Sequence, residues 1–111
     1  MTETKAIALR SDIDKSDLKD TQQTWIIYPE LFRKINEKIP SKNSVCRAIL
    51  LYLIFQKQNG DFTPAEETIR KYCNISAHSS YVDARKWLHD NGFITYIPYR
   101  EIIINYKKIM E

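Results

Sequence analysis

Glycine is scarce: the chain holds only Gly60 and Gly92. Phosphate-cradling loops of the G-x-x-x-x-G-K-[ST] and G-x-G-x-x-G types need glycines a few residues apart, so neither can be built. Cysteine is equally sparse. Cys46 and Cys73 are too few for a disulfide scaffold and form no C-x-x-C pair for a metal. The longest apolar run, Ala48–Phe55, falls far short of the roughly 20 residues that a bilayer span needs. Met1–Arg10 lacks an extended apolar stretch of signal-peptide type, so a reduced, cytoplasmic chain is expected.

Catalytic punctuation is missing too. There is no H-E-x-x-H, no G-x-S-x-G and no recognisable Cys–His signature, so an enzyme is not expected. His78 and His89 stand eleven positions apart and make no metal pair. The Asp12, Asp14, Asp17 and Asp20 cluster lacks the central Gly and terminal Glu of a calcium loop and reads as a charged arm. Neither a metal nor a cofactor is expected.

What is present suits one small domain. Of 111 residues, 43% are hydrophobic and 12% aromatic, enough for a core. The net charge of +3 is unevenly spread. Residues 1–24 carry four basic and five acidic side chains, leaving thirteen basic against nine acidic from Trp25 onward. The arm is therefore −1 and the remainder +4. We read 1–24 as a flexible or partner-ordered arm and 25–111 as the folded domain.

Within that domain, Trp25–Tyr28 has strand character, and Pro29 suits the start of a helix through Leu31, Phe32, Ile35 and Ile39, ended by Pro40. Ser44 is placed to cap a second helix, Val45 to about Asn59, whose middle is apolar nearly all round and so should be enclosed. Gly60 then serves as a helix-ending residue. Thr63-Pro64-Ala65-Glu66 has the spacing of a capping box, with Glu66 reaching back. The helix it opens runs to Cys73, a tight turn follows at Asn74-Ile75-Ser76, and the next helix spans about 77–91 and stops at Gly92. Phe93–Ile97 and Ile102–Tyr106 are β-branched and aromatic, joined by Pro98-Tyr99-Arg100-Glu101, which reads as a hairpin.

The order helix, capped helix, turn, helix, Gly, hairpin resembles the winged helix-turn-helix family. The likeness is densest over Phe62–Ile97, ending in Leu88-His89-Asp90-Asn91-Gly92-Phe93-Ile94. With Trp25–Phe55 included, it extends over roughly 25–106 and is similar to small plasmid and phage DNA-binding proteins and replication-initiator N-terminal domains. The resemblance implies an α+β, mainly α fold with a C-terminal β-hairpin wing. One departure is Tyr81, at a buried position usually held by Val or Ile, with a turn one residue longer than usual before it.

At 100° per residue, Ala77, Tyr81, Ala84 and Leu88 share the core face of helix 77–91. Ser79, Val82, Asp83, Lys86 and Asp90 lie opposite. His78, Arg85 and His89 form one flank, and Ser80 and Trp87 the other. The resemblance implies sequence-specific binding of double-stranded DNA, with this helix in the major groove and the wing, 93–106, on the adjacent backbone or minor groove. His78, Ser79 and Ser80 can then meet base edges or phosphates, Val82 a thymine methyl, and Lys86 phosphate or guanine. Tyr99 and Arg100 sit at the wing tip, where an Arg can enter a narrow minor groove, although Arg100 reads equally as a solvated turn residue. Thr63 can touch phosphate, though it reads first as a cap. Trp87 reads as packing on the hairpin, and Lys107 and Lys108 add charge after the second strand.

The expected setting is a bacterial, DNA-associated cytoplasmic protein serving a plasmid or phage process: replication, partition, transfer or transcription control. Homodimerisation and contact with replication or transfer proteins are compatible with it; a membrane is not. The alternative is a winged-helix protein–protein module without DNA binding, which the acidic Asp83 and Asp90 favour.

Overall fold

A computed structural model describes residues 27–60 and 63–111. The expected arm, 1–24, lies outside the described residues, as do Trp25 and Ile26. Ile27 and Tyr28 are in no strand; Tyr28 is the extended residue from which α1, Pro29–Lys38, departs. Pro29 occupies the first turn, where its missing N–H costs no bond. Leu31 and Ile35 are buried on the inner face, as is Ile39 just beyond the helix, whereas Phe32 is 40% exposed.

A single 3-10 turn, Ser41–Asn43, leads into α2, Ser44–Gln58. Ser44 is not the cap. It is already helical, and Asn43 precedes it without a side-chain capping bond, because the 3-10 turn feeds directly into the helix. The expectation of enclosure holds: Cys46, Ile49, Leu50, Tyr52, Leu53, Ile54 and Gln56 are all buried. Each fully buried Ile or Leu here contributes roughly 1.5–3 kcal/mol. Arg47 ties α2 to the end of α1 by donating to the carbonyls of Ile39 (2.7 Å) and Asn36 (2.9 Å). That places a cation at the negative end of the α1 dipole.

α2 packs against two shorter helices, α3, Glu66–Tyr72, and α4, His78–Asp90. Between them the chain turns at Asn74, whose φ of 57° lies in the left-handed region that Asn tolerates. The end of α4 is a Schellman motif. Gly92, at φ 82°, donates to the His89 carbonyl (3.0 Å), and Phe93 donates to that of Leu88 (2.9 Å). Leu88 and Phe93 are both buried, so the stop signal and the core contact coincide.

The hairpin comprises β1, Ile94–Ile97, and β2, Glu101–Ile104, antiparallel with Ile94 opposite Ile104 and Tyr96 opposite Ile102. Arg100 N–H closes the turn on the Ile97 carbonyl (3.1 Å). Pro98 is second in that turn and Tyr99, at φ 61°, third, the pattern of a type II turn. The second strand stops sooner than its β-branched sequence suggests. Tyr106 is not in the strand but opens α5, Tyr106–Met110, which packs on α1 and buries Ile109. Lys38 Nζ donates to the Lys108 carbonyl across that contact (3.0 Å). The fold is α+β and mainly α, in a winged-helix-like layout with the hairpin following α1 to α4. Among the described residues, no helix is long and apolar enough to cross a membrane.

Candidate functional site

α3, α4 and the hairpin together build the candidate face. α4 begins at His78, with Ala77 as its extended N-cap residue; Ala77 is exposed and does not join the core face. Tyr81, Ala84 and Leu88 do, at 3%, 6% and 0% exposure. Tyr81 is thus accommodated as a core residue. Burial pushes its phenol above the usual tyrosine range, and the adjacent Arg85 opposes that shift.

On the other side of α4, Ser79, Ser80, Asp83, Lys86 and Asp90 are exposed. Val82 is not: it is half-buried and packs against the core, which reduces what it can offer a ligand. Lys86 Nζ is paired with Asp90 Oδ2 at 2.8 Å, one helical turn away. That hydrogen bond, with the carboxylate's charge, holds the Lys86 ammonium above its ordinary range. Trp87 is half-buried and packs beside Phe93, ring centroids 5.9 Å apart.

The capping box does not form. α3 starts at Glu66, with Ala65 as its N-cap residue and no side-chain capping bond. Thr63 lies too far upstream to cap; its Oγ1 instead accepts the Ile102 N–H of β2 at 2.9 Å. Glu66 turns away from the backbone. Its Oε2 pairs with Arg70 (3.4 Å) and also with Nδ1 of the exposed His78. Arg70 in turn donates to the carbonyls of Ile75 (3.3 Å) and Ser76. A network of Glu66, Arg70 and His78 therefore knits α3 to the start of α4. Composition and spacing did not point to Arg70; its i, i+4 relation to Glu66 is the trace it leaves in the sequence.

The wing tip carries Tyr99, fully exposed, and Arg100, also exposed. With Thr63, Glu66, Tyr81, Arg85 and Tyr96 they line one groove of about 380 Å³ between the start of α3, α4 and the hairpin. Thus Thr63 shares a groove with Tyr99 and Arg100, more than thirty positions further along the chain, and Glu66 links it to His78. Ser79, Ser80, Val82 and Lys86 do not line it. The Arg85 guanidinium lies over the Tyr96 ring at 3.8 Å from its centroid, and 5.4 Å from that of Tyr81. Lys107 and Lys108 stand on α5 rather than on a continuing strand.

The cysteines are buried or half-buried, and burial pushes the Cys73 thiol up to about 11 and that of Cys46 upward too. Neither is poised as a thiolate. Among the described residues, no group of three or more His, Cys, Asp or Glu side chains is arranged to hold a metal ion. Compared with protein-family models, curated proteins and solved structures, the chain gives no match.

Proposed function

We propose that the chain binds double-stranded DNA in a sequence-specific manner, with α4 in the major groove and the wing tip on the adjacent backbone or minor groove. The observation that carries this reading is the winged-helix-like order of α3, α4 and the hairpin, which leaves Ser79, Ser80 and Lys86 on α4 and Tyr99 and Arg100 at the wing tip exposed. Ser79 and Ser80, exposed on the first turn of α4, serve as donors and acceptors toward base edges or phosphates. Lys86 serves phosphate or guanine after leaving Asp90. Arg100 and Tyr99 engage the minor groove or its backbone, and Thr63 still has its O–H to donate to a phosphate. His78, held by Glu66, lies at the edge of this footprint, and Val82 offers only the exposed part of its side chain to a thymine methyl.

The modest charge means that tight binding needs more than one copy or repeated half-sites, which fits a homodimer on DNA of a plasmid or phage. Replication, partition, transfer and transcription control all use such recognition. A cytoplasmic, DNA-associated setting, replication or transfer proteins as further partners, and the absence of catalysis belong to the same proposal. A second reading, a protein–protein module, is favoured by one observation: Asp90 neutralises Lys86 while Asp83 stays exposed on the same face.

Titration of labelled duplexes by fluorescence anisotropy, at several salt concentrations, tests the choice. DNA binding predicts saturable binding that weakens with salt, and weaker binding by Lys86→Ala and Arg100→Ala. Binding without sequence preference or salt dependence contradicts it.

A further inference from the structure

A two-stranded hairpin is marginal on its own and has two open edges. Here both edges are engaged at one rung, Tyr96 opposite Ile102. In an antiparallel ladder, the two amides of a non-hydrogen-bonded pair point away from each other, out of the sheet. The Tyr96 N–H donates to Nδ1 of His89 at 3.2 Å, and the Ile102 N–H donates to Thr63 Oγ1 at 2.9 Å. The same rung is gripped a third time by Arg85, whose guanidinium covers the Tyr96 ring at 3.8 Å. Arg85 and His89 are four residues apart on α4, so one helical stripe meets both the ring and the backbone of Tyr96.

Beyond this rung the hairpin continues only through Ile97 and Glu101 to the tip. A tilt about Tyr96 and Ile102 would therefore move Tyr99 and Arg100 directly. Because Arg85 is stacked against Tyr96, its own guanidinium is committed to the wing.

We propose that Arg85 and His89, with Thr63 on the opposite edge, are positioning residues that set the angle of the wing to α4. They act on DNA through Tyr99 and Arg100, so this inference rests on the DNA-binding reading. His89 does so through Nδ1, which accepts the Tyr96 N–H.

The test uses the full chain with Arg85→Ala, Arg85→Lys, His89→Ala and Thr63→Val. In the free protein, NMR residual dipolar couplings report hairpin orientation relative to α4, and amide exchange reports Tyr96 and Ile102. We expect reorientation in Arg85→Ala and His89→Ala, partial rescue by Arg85→Lys, and exchange about five-fold faster at Tyr96 in His89→Ala and at Ile102 in Thr63→Val. On a selected duplex, Arg85→Ala binds about five-fold more weakly, and in a background carrying both Tyr99→Ala and Arg100→Ala it has little further effect. An unchanged hairpin orientation overturns the inference while leaving DNA binding intact. So does additivity of Arg85→Ala with the Tyr99→Ala, Arg100→Ala pair, or unaltered affinity despite reorientation. If the parent chain binds no duplex, the DNA-binding reading falls, and the role assigned to the wing falls with it.

Discussion

The carboxylate of Glu66, on the first turn of α3, holds the imidazole of His78, on the first turn of α4. It pairs with Arg70 as well, so one acidic side chain joins two helices and sits beside the proposed DNA face. Glu66→Gln keeps the shape, removes a charge that repels phosphate and releases His78. The expected outcome is duplex binding strengthened a few-fold, with lower thermal stability from the loosened junction. Anisotropy and a thermal melt on the same sample check both signs.

The Lys86–Asp90 pair, exposed at both ends, makes a second and separable case. Asp90→Ala frees the ammonium for phosphate, so affinity should rise and its salt dependence steepen. Lys86→Ala should do the reverse, lowering the salt slope by about one. Thermal midpoints should stay where they are in both variants, because exposed helix-face pairs contribute little.

Tyr99 combines a left-handed backbone with a ring fully in solvent, a conformation that glycine adopts without the same steric conflict. Relief of that conflict exceeds the entropy glycine adds to the unfolded chain. Tyr99→Gly should therefore raise the melting temperature by about 3 °C. The same variant should bind duplex DNA more weakly, so stability and function move in opposite directions. A melting temperature that falls instead would mean the ring has a structural role.

Alkaline pH should destabilise the fold. Burial raises Cys73 from 9.0 to about 11 and raises Cys46, Tyr52 and Tyr81 in the same direction. The folded state thus keeps protons that the unfolded chain releases. The stability this confers is complete below about pH 9 and is lost as pH climbs through 11. Urea midpoints at pH 8 and pH 10.5 measure the fall, and Cys73→Ala should make it shallower.

Much of this fold was legible because its boundaries are written locally. Pro29 and Gly92 mark a helix start and a helix stop, and the near-continuous apolar stretch Ala48–Phe55 announces the enclosed helix α2. At Thr63 and at the end of the hairpin, distant partners outcompete local ones. The Thr63 hydroxyl looked like a cap for the next turn of chain, yet it serves Ile102, 39 residues away. Ile102–Tyr106 looked like one strand, but Asn105 Nδ2 bonds to the Gly92 carbonyl (2.9 Å) and Ile109 is buried as α5 packs on α1. Five residues of Tyr, Lys, Ile and Met carry no helical period long enough to read. Within the candidate site, helical geometry placed Arg85 and His89 on one flank. What lay opposite that flank, the ring and amide of Tyr96, required the tertiary fold.

Selection of duplexes from a randomised library, followed by salt titration of the enriched site, is the most direct measurement. The account predicts an enriched sequence, with log affinity falling against log salt at a slope of about −2 to −3 for two or three phosphates neutralised per copy. It also predicts that Arg100→Ala flattens that slope. No enrichment, with affinity indifferent to salt, would contradict recognition of DNA by α4 and the wing.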